Sequence, residues 1–121
     1  MNNLLYVFIG GGAGSLVRYG ISVIIQKSFA FVFPMATLLS NVLSCVVLAV
    51  AVGMFSDKMN DNPSLKLLIL TGFCGGFSTF STFSFETIDL LKQGHNTLAF
   101  ANIFISIVVC FGIVFFLAKN S

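Results

Sequence analysis

The stretch "GFCGGFSTFSTFSFE", residues 72–86, decides how the chain is interpreted, because its composition does not suit a uniform helix. It holds three glycines, five serines or threonines and five phenylalanines, and it ends on Glu86, one of only four acidic residues. Gly72, Gly75 and Gly76 weaken a helix, and the hydroxyl side chains that follow compete for backbone hydrogen bonds. The stretch therefore predicts a helix that breaks at its glycine cluster.

The residues around this stretch are strongly apolar, and they indicate the class of the protein. Hydrophobic residues make up 57% of the 121 residues and charged residues 8%, and the mean hydropathy is +1.02. A soluble domain usually carries about 25% charged residues. Four apolar stretches approach or exceed the roughly 20 residues that cross a hydrocarbon core. We predict a single all-α membrane domain over residues 1–121, with its third helix broken at the centre and transmembrane helices at about 4–25, 33–55, 65–91 and 97–118.

The few charges give the chain little preference for one orientation. With four spans, one side of the membrane carries Lys58, Lys66 and Lys119 and the other carries Lys27 and Lys92. This distribution has almost no positive-inside bias. The chain either inserts both ways and pairs with an inverted copy of itself, or takes one orientation that few charges set weakly. The net charge of +2, with no basic run, argues against nucleic-acid binding.

Several polar residues fall inside the predicted spans, where they are costly and tend to mark pathways. Arg18 either reaches toward the interface as an anchor or lines an aqueous vestibule, where its charge favours anions. Asn41 shares a helix face with Thr37 and Ser44 and either joins helices or lines a path. The same two interpretations hold for the fourth-span stripe of Asn102, Ser106 and Cys110.

A broken helix at membrane depth requires a protein or water environment, and its free carbonyls can bind a cation. Beyond the break, Phe80 and Phe83 are three residues apart and share a face. Aromatic rings have a positive edge, so ring edges together with the hydroxyls of Ser81 and Thr82 suit a small anion. We expect ordinary packing for Phe73 and Phe85 and make no assignment for Phe77. These features predict a small-ion pathway that leans toward anions, without identifying the ion.

The sequence offers little for catalysis. Cys45, Cys74 and Cys110 lie in apolar segments and are expected to be small packing residues. His95 lies in a polar loop, and the chain has no Ser-His-Asp set, paired carboxylates or zinc spacing. We therefore expect that the protein is not an enzyme.

The motifs resemble those of one family closely. "GFCGGFSTFSTFSFE" resembles the hallmark of the Fluc/CrcB fluoride channels, "GGGAGSLVRY" (residues 10–19) their first-helix motif, and "ATLLSNVLSC" (residues 36–45) their second-helix motif. Ala36 and Ser44 stand where that second motif usually has glycine, and Cys110 stands where a hydroxyl is common. The resemblance covers essentially the whole chain.

The resemblance implies a fluoride-selective channel of the bacterial inner membrane, built as an antiparallel, dual-topology homodimer that exports fluoride passively. Some family members instead pair two unlike subunits. A structural sodium ion is implied at the dimer centre, held by the backbone carbonyls of Gly75 and Ser78. The residues implied in the ion pathway are Arg18, Asn41, Phe80, Phe83, Glu86 and, less directly, Ser106.

Two other functions compete with this one. A small proton-coupled multidrug exporter also has four spans and often dual topology, but it needs a membrane carboxylate for proton exchange. Here Glu86 and Asp89 lie in the outer third of the third span, and the first span has no acid. A non-transporting subunit or assembly factor, held together by the glycine motifs, is the other alternative.

Overall fold

The computed structural model describes residues 2–28 and 32–118, and within them every regular element is helical. Helix α1 runs Asn2–Ser28 and helix α2 runs Met35–Asp61. The third span, Pro63–Lys92, consists of α3 (Pro63–Lys66), a π-helix (Leu67–Cys74), α4 (Gly75–Phe77) and α5 (Phe80–Lys92). Helix α6 runs Asn96–Ala118.

The four helices are long and apolar enough to cross a membrane, as the sequence predicted. The predicted spans lie within the observed ones, apart from the start of the second, and the largest difference is at the end of that span. There Phe55 has non-helical dihedrals (φ −123°, ψ 19°), but the helix continues past this kink to Asp61. Asn62 then ends it, and its side chain accepts a hydrogen bond from the Leu65 amide, which starts the third span.

Four glycines bring α1 and the third span into backbone contact. A Cβ added at Gly10 or Gly14 would collide with the backbone around Leu68 and Phe73, and a Cβ at Gly76 would collide with the backbone of Gly11. This is the close approach that small residues allow between membrane helices. The glycines of the third span therefore serve packing: Gly72 and Gly76 face α1, while Gly75 faces away from it, with nothing within 4 Å of its added Cβ.

The predicted break in the third span exists, but it lies after the glycine cluster rather than in it. Gly75–Phe77 is helical, and the chain becomes extended at Ser78 (φ −84°, ψ 158°) and Thr79 (φ −152°, ψ 117°). Helix α5 starts at Phe80, where Thr79 caps it by accepting a hydrogen bond from the Thr82 amide. The expectation that glycine sets the position of the break was wrong, because the hydroxyl residues set it.

Most of the buried residues of the bundle are small, whereas most of its large apolar residues face outward. Helices α2 and α6 are in contact, and small side chains such as Ser40, Ala49 and Ala99 are buried on them. Phe8, Phe100 and many other large side chains are exposed. This inside-out arrangement suits a bundle surrounded by lipid, where close packing rather than water exclusion joins the helices.

Candidate functional site

The break in the third span is held open by Asn41 of α2. The Asn41 side-chain oxygen accepts a hydrogen bond of 2.8 Å from the Thr79 amide, and its nitrogen donates one of 3.4 Å to the Thr79 carbonyl. The side-chain amide of Asn41 thus takes the place of the backbone partners that the N–H and the carbonyl of Thr79 would have in a continuous helix. Of the two roles that the sequence left open for Asn41, the structure shows that it joins helices, and its side chain also lines a cavity.

This arrangement releases two backbone carbonyls from helical hydrogen bonding. In a continuous helix the Thr79 amide would donate to Gly75 and the Thr82 amide to Ser78. Here the first donates to Asn41 and the second to the Thr79 hydroxyl, 3.2 Å away. Gly75 itself is exposed, and nothing lies within 4 Å of a Cβ added to it. Neutral oxygen donors of this kind suit a hard cation such as sodium, so these residues fit the ion that the resemblance implies.

Two neighbouring carbonyls at the end of the broken helix do receive donors. The Cys74 carbonyl accepts from the Ser78 amide (3.0 Å), the Ser78 hydroxyl (2.8 Å) and the Ser44 hydroxyl (3.0 Å). Ser44 is one of the departures from the family motif, and its extra oxygen is used in this contact. The helix end is therefore fixed by side chains of the third span and of α2 together.

Arg18 binds the second of these two carbonyls, that of Gly76. Its Nε donates to the Gly76 carbonyl at 3.1 Å, at the C-terminal end of α4. A cation is favourable there because unpaired carbonyls give a helix C-terminus a partial negative charge. Arg18 is half-buried and is bound at the break through this contact.

A small polar cavity, which we call the arginine cavity, lies beside this contact. It measures about 130 Å³. Within it the Thr37 hydroxyl faces the Glu86 carboxylate. Ser40 Oγ and Glu86 Oε1 are buried and have no hydrogen-bond partner within the described ranges, so two polar atoms there remain available. The lining residues are Arg18, Tyr19, Ser22, Ala36, Thr37, Ser40, Thr79, Thr82 and Glu86.

A second cavity, which we call the phenylalanine cavity, lies on the other side of Thr79. It measures about 360 Å³, and the rings of Phe80 and Phe83 stand in its wall with centroids 5.8 Å apart. Phe80 is 79% exposed, so most of its ring faces outward from this chain. The lining residues are Asn41, Cys45, Ser78, Thr79, Phe80, Phe83, Ser106, Ile107, Cys110 and Phe111.

A third, outer cavity of about 380 Å³ completes a series. It shares Ser22, Ala36 and Glu86 with the arginine cavity, which in turn shares Thr79 with the phenylalanine cavity. The three cavities therefore follow one another from the end of α5 near Gln93 to the break in the third span. Their shared residues are polar or small, as an ion path between them would require.

A hydrogen-bonded chain connects the wall of the phenylalanine cavity to α5. Ser106 donates to Asn102 (3.4 Å), Asn102 donates to Thr87 (3.0 Å), and Thr87 donates to the Phe83 carbonyl (2.8 Å). Asn102 is 1% exposed, so its role is packing. Ser106 and Cys110 of the same stripe line the cavity.

The structure separates some residues that the sequence grouped together. Thr82 lines the arginine cavity rather than the phenylalanine cavity, and Ser81 is exposed, with its hydroxyl 3.3 Å from that of Thr79. Phe77, which the sequence left unassigned, is buried against Phe73. Phe85 is 72% exposed and does not pack inside this chain, contrary to expectation.

Sequence reasoning missed Thr79 and Thr87 as parts of this site. Thr79 caps α5, faces both inner cavities and exchanges hydrogen bonds with Asn41. A signal was present, because a threonine directly before a helical segment is a preferred N-cap. Thr87 gave no comparable signal, since its importance depends on the packing of α6.

Fold and site together define a four-span membrane protein with a broken third helix beside the arginine and phenylalanine cavities. The family model "CrcB-like protein, Camphor Resistance (CrcB)" matches residues 5–118. The chain therefore belongs to the CrcB family, and it is a multi-pass membrane protein.

Relatives with the name fluoride-specific ion channel FluC resemble most of the chain. The protein of Maridesulfovibrio salexigens is 42% identical over 85% of this chain and 82% of its own length. The Serratia proteamaculans protein is 43% identical over 88% of this chain and 84% of its own length. The Escherichia coli K12 protein is 40% identical over 89% and 84%.

Proposed function

We propose that this protein is a fluoride channel that lets fluoride leave the cell passively and so lowers its toxicity in the cytoplasm. The observation that carries the proposal is the series of cavities that meets at the broken third helix, in a chain whose relatives are named fluoride-specific channels. In a bacterial cell its place is the inner membrane. The exporter alternative has no support among these relatives, whose names are those of ion channels.

The physical basis for anion transport is a positive charge followed by neutral hydrogen-bond donors. Arg18 attracts an anion into the arginine cavity, where the hydroxyls of Ser40 and Thr82 replace part of its water. The next cavity offers the Asn41 amide and the edges of Phe80 and Phe83. A narrow path of this kind favours fluoride over chloride, because the larger ion does not fit. Glu86, at the boundary of the outer cavity, restricts entry through its own charge.

The direction of transport follows from the chemistry of hydrogen fluoride. The neutral acid crosses the membrane when the outside is acidic, and it releases its proton in the more alkaline cytoplasm. The trapped fluoride then leaves through the channel down its electrochemical gradient, so no energy source is needed.

The proposal includes an antiparallel homodimer with sodium at its centre. Gly75 and Ser81 are exposed near the break of a membrane helix, and Phe80 is 79% exposed there. Exposed irregular backbone is unfavourable in lipid, so a second copy covers this face. The weak charge bias supports inversion of that copy, although a paralogous subunit is the other possible partner. The freed carbonyls of Gly75 and Ser78 would hold the sodium ion. Its positive charge would attract carbonyl oxygens of both copies and so join them.

Ion efflux from liposomes that contain the purified protein tests this function. We expect rapid fluoride efflux and far slower chloride efflux; comparable rates for the two ions would contradict the proposed selectivity. Phe80→Ile and Phe83→Ile remove the ring edges and should each reduce fluoride efflux. Phe85→Ile is the matched control, because that ring is exposed and lines none of the three cavities. Full activity of both cavity variants would exclude the ring-edge mechanism.

A further inference from the structure

Two free thiols lie in the wall of the phenylalanine cavity. Cys45 lies on α2 and Cys110 on α6, both are half-buried, and both line this cavity. Their thiols lie within interaction range of each other. Helices α2 and α6 are packed closely along their length, so the two sulfur atoms are held on a rigid frame.

The number of ligands limits what this pair can bind. Within residues 2–28 and 32–118, no cluster of three His, Cys, Asp or Glu side chains surrounds a common point. Zinc prefers four such ligands, whereas soft monovalent d10 cations are satisfied by two sulfur ligands in a line. Thiolate sulfur is also the donor that these ions prefer.

We propose that Cys45 and Cys110 form a binding site for a thiophilic monovalent cation, Ag⁺ or Cu⁺, within the ion path. One thiol loses its proton to water as its sulfur–metal bond forms, and the second thiol donates a lone pair without losing its proton. The bound complex is therefore neutral, which avoids placing an unpaired charge in a low-dielectric site. No oxidant or reductant takes part.

Occupancy of this site should close the path, an inference that rests on the proposed function. Cys45 is one helical turn from Asn41, and Cys110 is one turn from Ser106, so the metal would lie in the same cavity as both polar residues, about one turn along the helices from them. A metal held there would occupy space in the phenylalanine cavity and draw the walls together. Fluoride would then meet an obstacle between Asn41 and the phenylalanine rings.

Silver nitrate in chloride-free medium is a suitable probe, because silver fluoride is soluble. Silver retained by the purified full chain after desalting measures binding without any flux. We expect one Ag⁺ per wild-type chain, and an affinity lower by at least about 100-fold in Cys45→Ser and in Cys110→Ser, since the loss of a residue that only hydrogen-bonds to a metal ligand already costs about 10–100-fold. Cys74→Ser is the matched control: this thiol is buried and lines none of the cavities, so its loss should change neither affinity nor stoichiometry.

Fluoride efflux in the presence of Ag⁺ then tests closure. Wild type and Cys74→Ser should be blocked at the same silver concentration, while Cys45→Ser and Cys110→Ser should each keep the efflux rate that they show without silver. Retained binding in both cavity variants, or its loss in Cys74→Ser, would overturn the site. Binding that leaves efflux unchanged would overturn closure alone. A protein that binds silver but shows no fluoride efflux without it would contradict the proposed function and leave the site supported. Cys45→Ala and Cys110→Ala, with elution volume as a check of folding, replace any serine variant that fails to fold.

Discussion

At the scale of single residues, Asn41 makes two hydrogen bonds that one substitution removes together. Asn41→Ala removes the acceptor for the Thr79 amide and the donor to its carbonyl. Leaving such groups unpaired costs about 1–3 kcal/mol, so we expect unfolding in detergent at a lower temperature. Asn41→Asp retains the acceptor but adds a negative charge beside the phenylalanine cavity. It should fold better than Asn41→Ala and still conduct little fluoride.

Asn60→Ala is the matched control for these two variants, because Asn60 lies on the same helix and is exposed near its end. It should match wild type in both thermal unfolding and efflux. Asn41→Asp with wild-type fluoride efflux would show that this position does not face the ion. Asn41→Ala with wild-type stability would show that the break is held by other contacts.

At the scale of helices, the contact between α1 and the third span depends on the absence of side chains. Gly14→Ala places a methyl group against the backbone of Phe73 and Phe77, where neither partner can rotate away. We expect a loss of about 1–3 kcal/mol or more, the usual cost of overpacking. Gly12→Ala on the same helix meets nothing within 4 Å and should be neutral or slightly stabilising. Denaturant or thermal unfolding in detergent measures the difference, and equal stability of the two variants would contradict this packing.

The same helices show what the sequence predicts and where it fails. Hydropathy predicted the four spans because lipid imposes length and composition on each helix separately. The break was predicted, but its position was wrong by a few residues. The glycine cluster has two uses, flexibility and close approach, and only the position of α1 shows that Gly72 and Gly76 serve the second. The hydrogen bonds of Thr79 and Thr87 depend on which helices become neighbours, and that information is not local.

At the scale of the whole molecule, Gly75 links the two parts of the dimer proposal, because both the freed carbonyl and the exposed face belong to it. Gly75→Leu adds a side chain to open space, so each chain should still fold. The same side chain would separate two copies that meet at this face and would cover the carbonyl proposed to bind sodium. We therefore expect the dimer of this variant to be weaker than that of wild type: in detergent, it should form only at much higher protein concentration.

Sodium gives this variant a second, independent measurement. A ligand that binds only the native assembly stabilises it by mass action, so wild type should unfold at a higher temperature in sodium than in potassium. Gly75→Leu should lose this difference together with the dimer, whereas Gly12→Leu, which points away from the third span into open space, should keep both. A Gly75→Leu protein that remains dimeric and responds to sodium would place the interface on another face. If Gly75→Leu stays dimeric but loses the sodium response, the Gly75 carbonyl takes part in sodium binding, and the dimer contact does not depend on this residue.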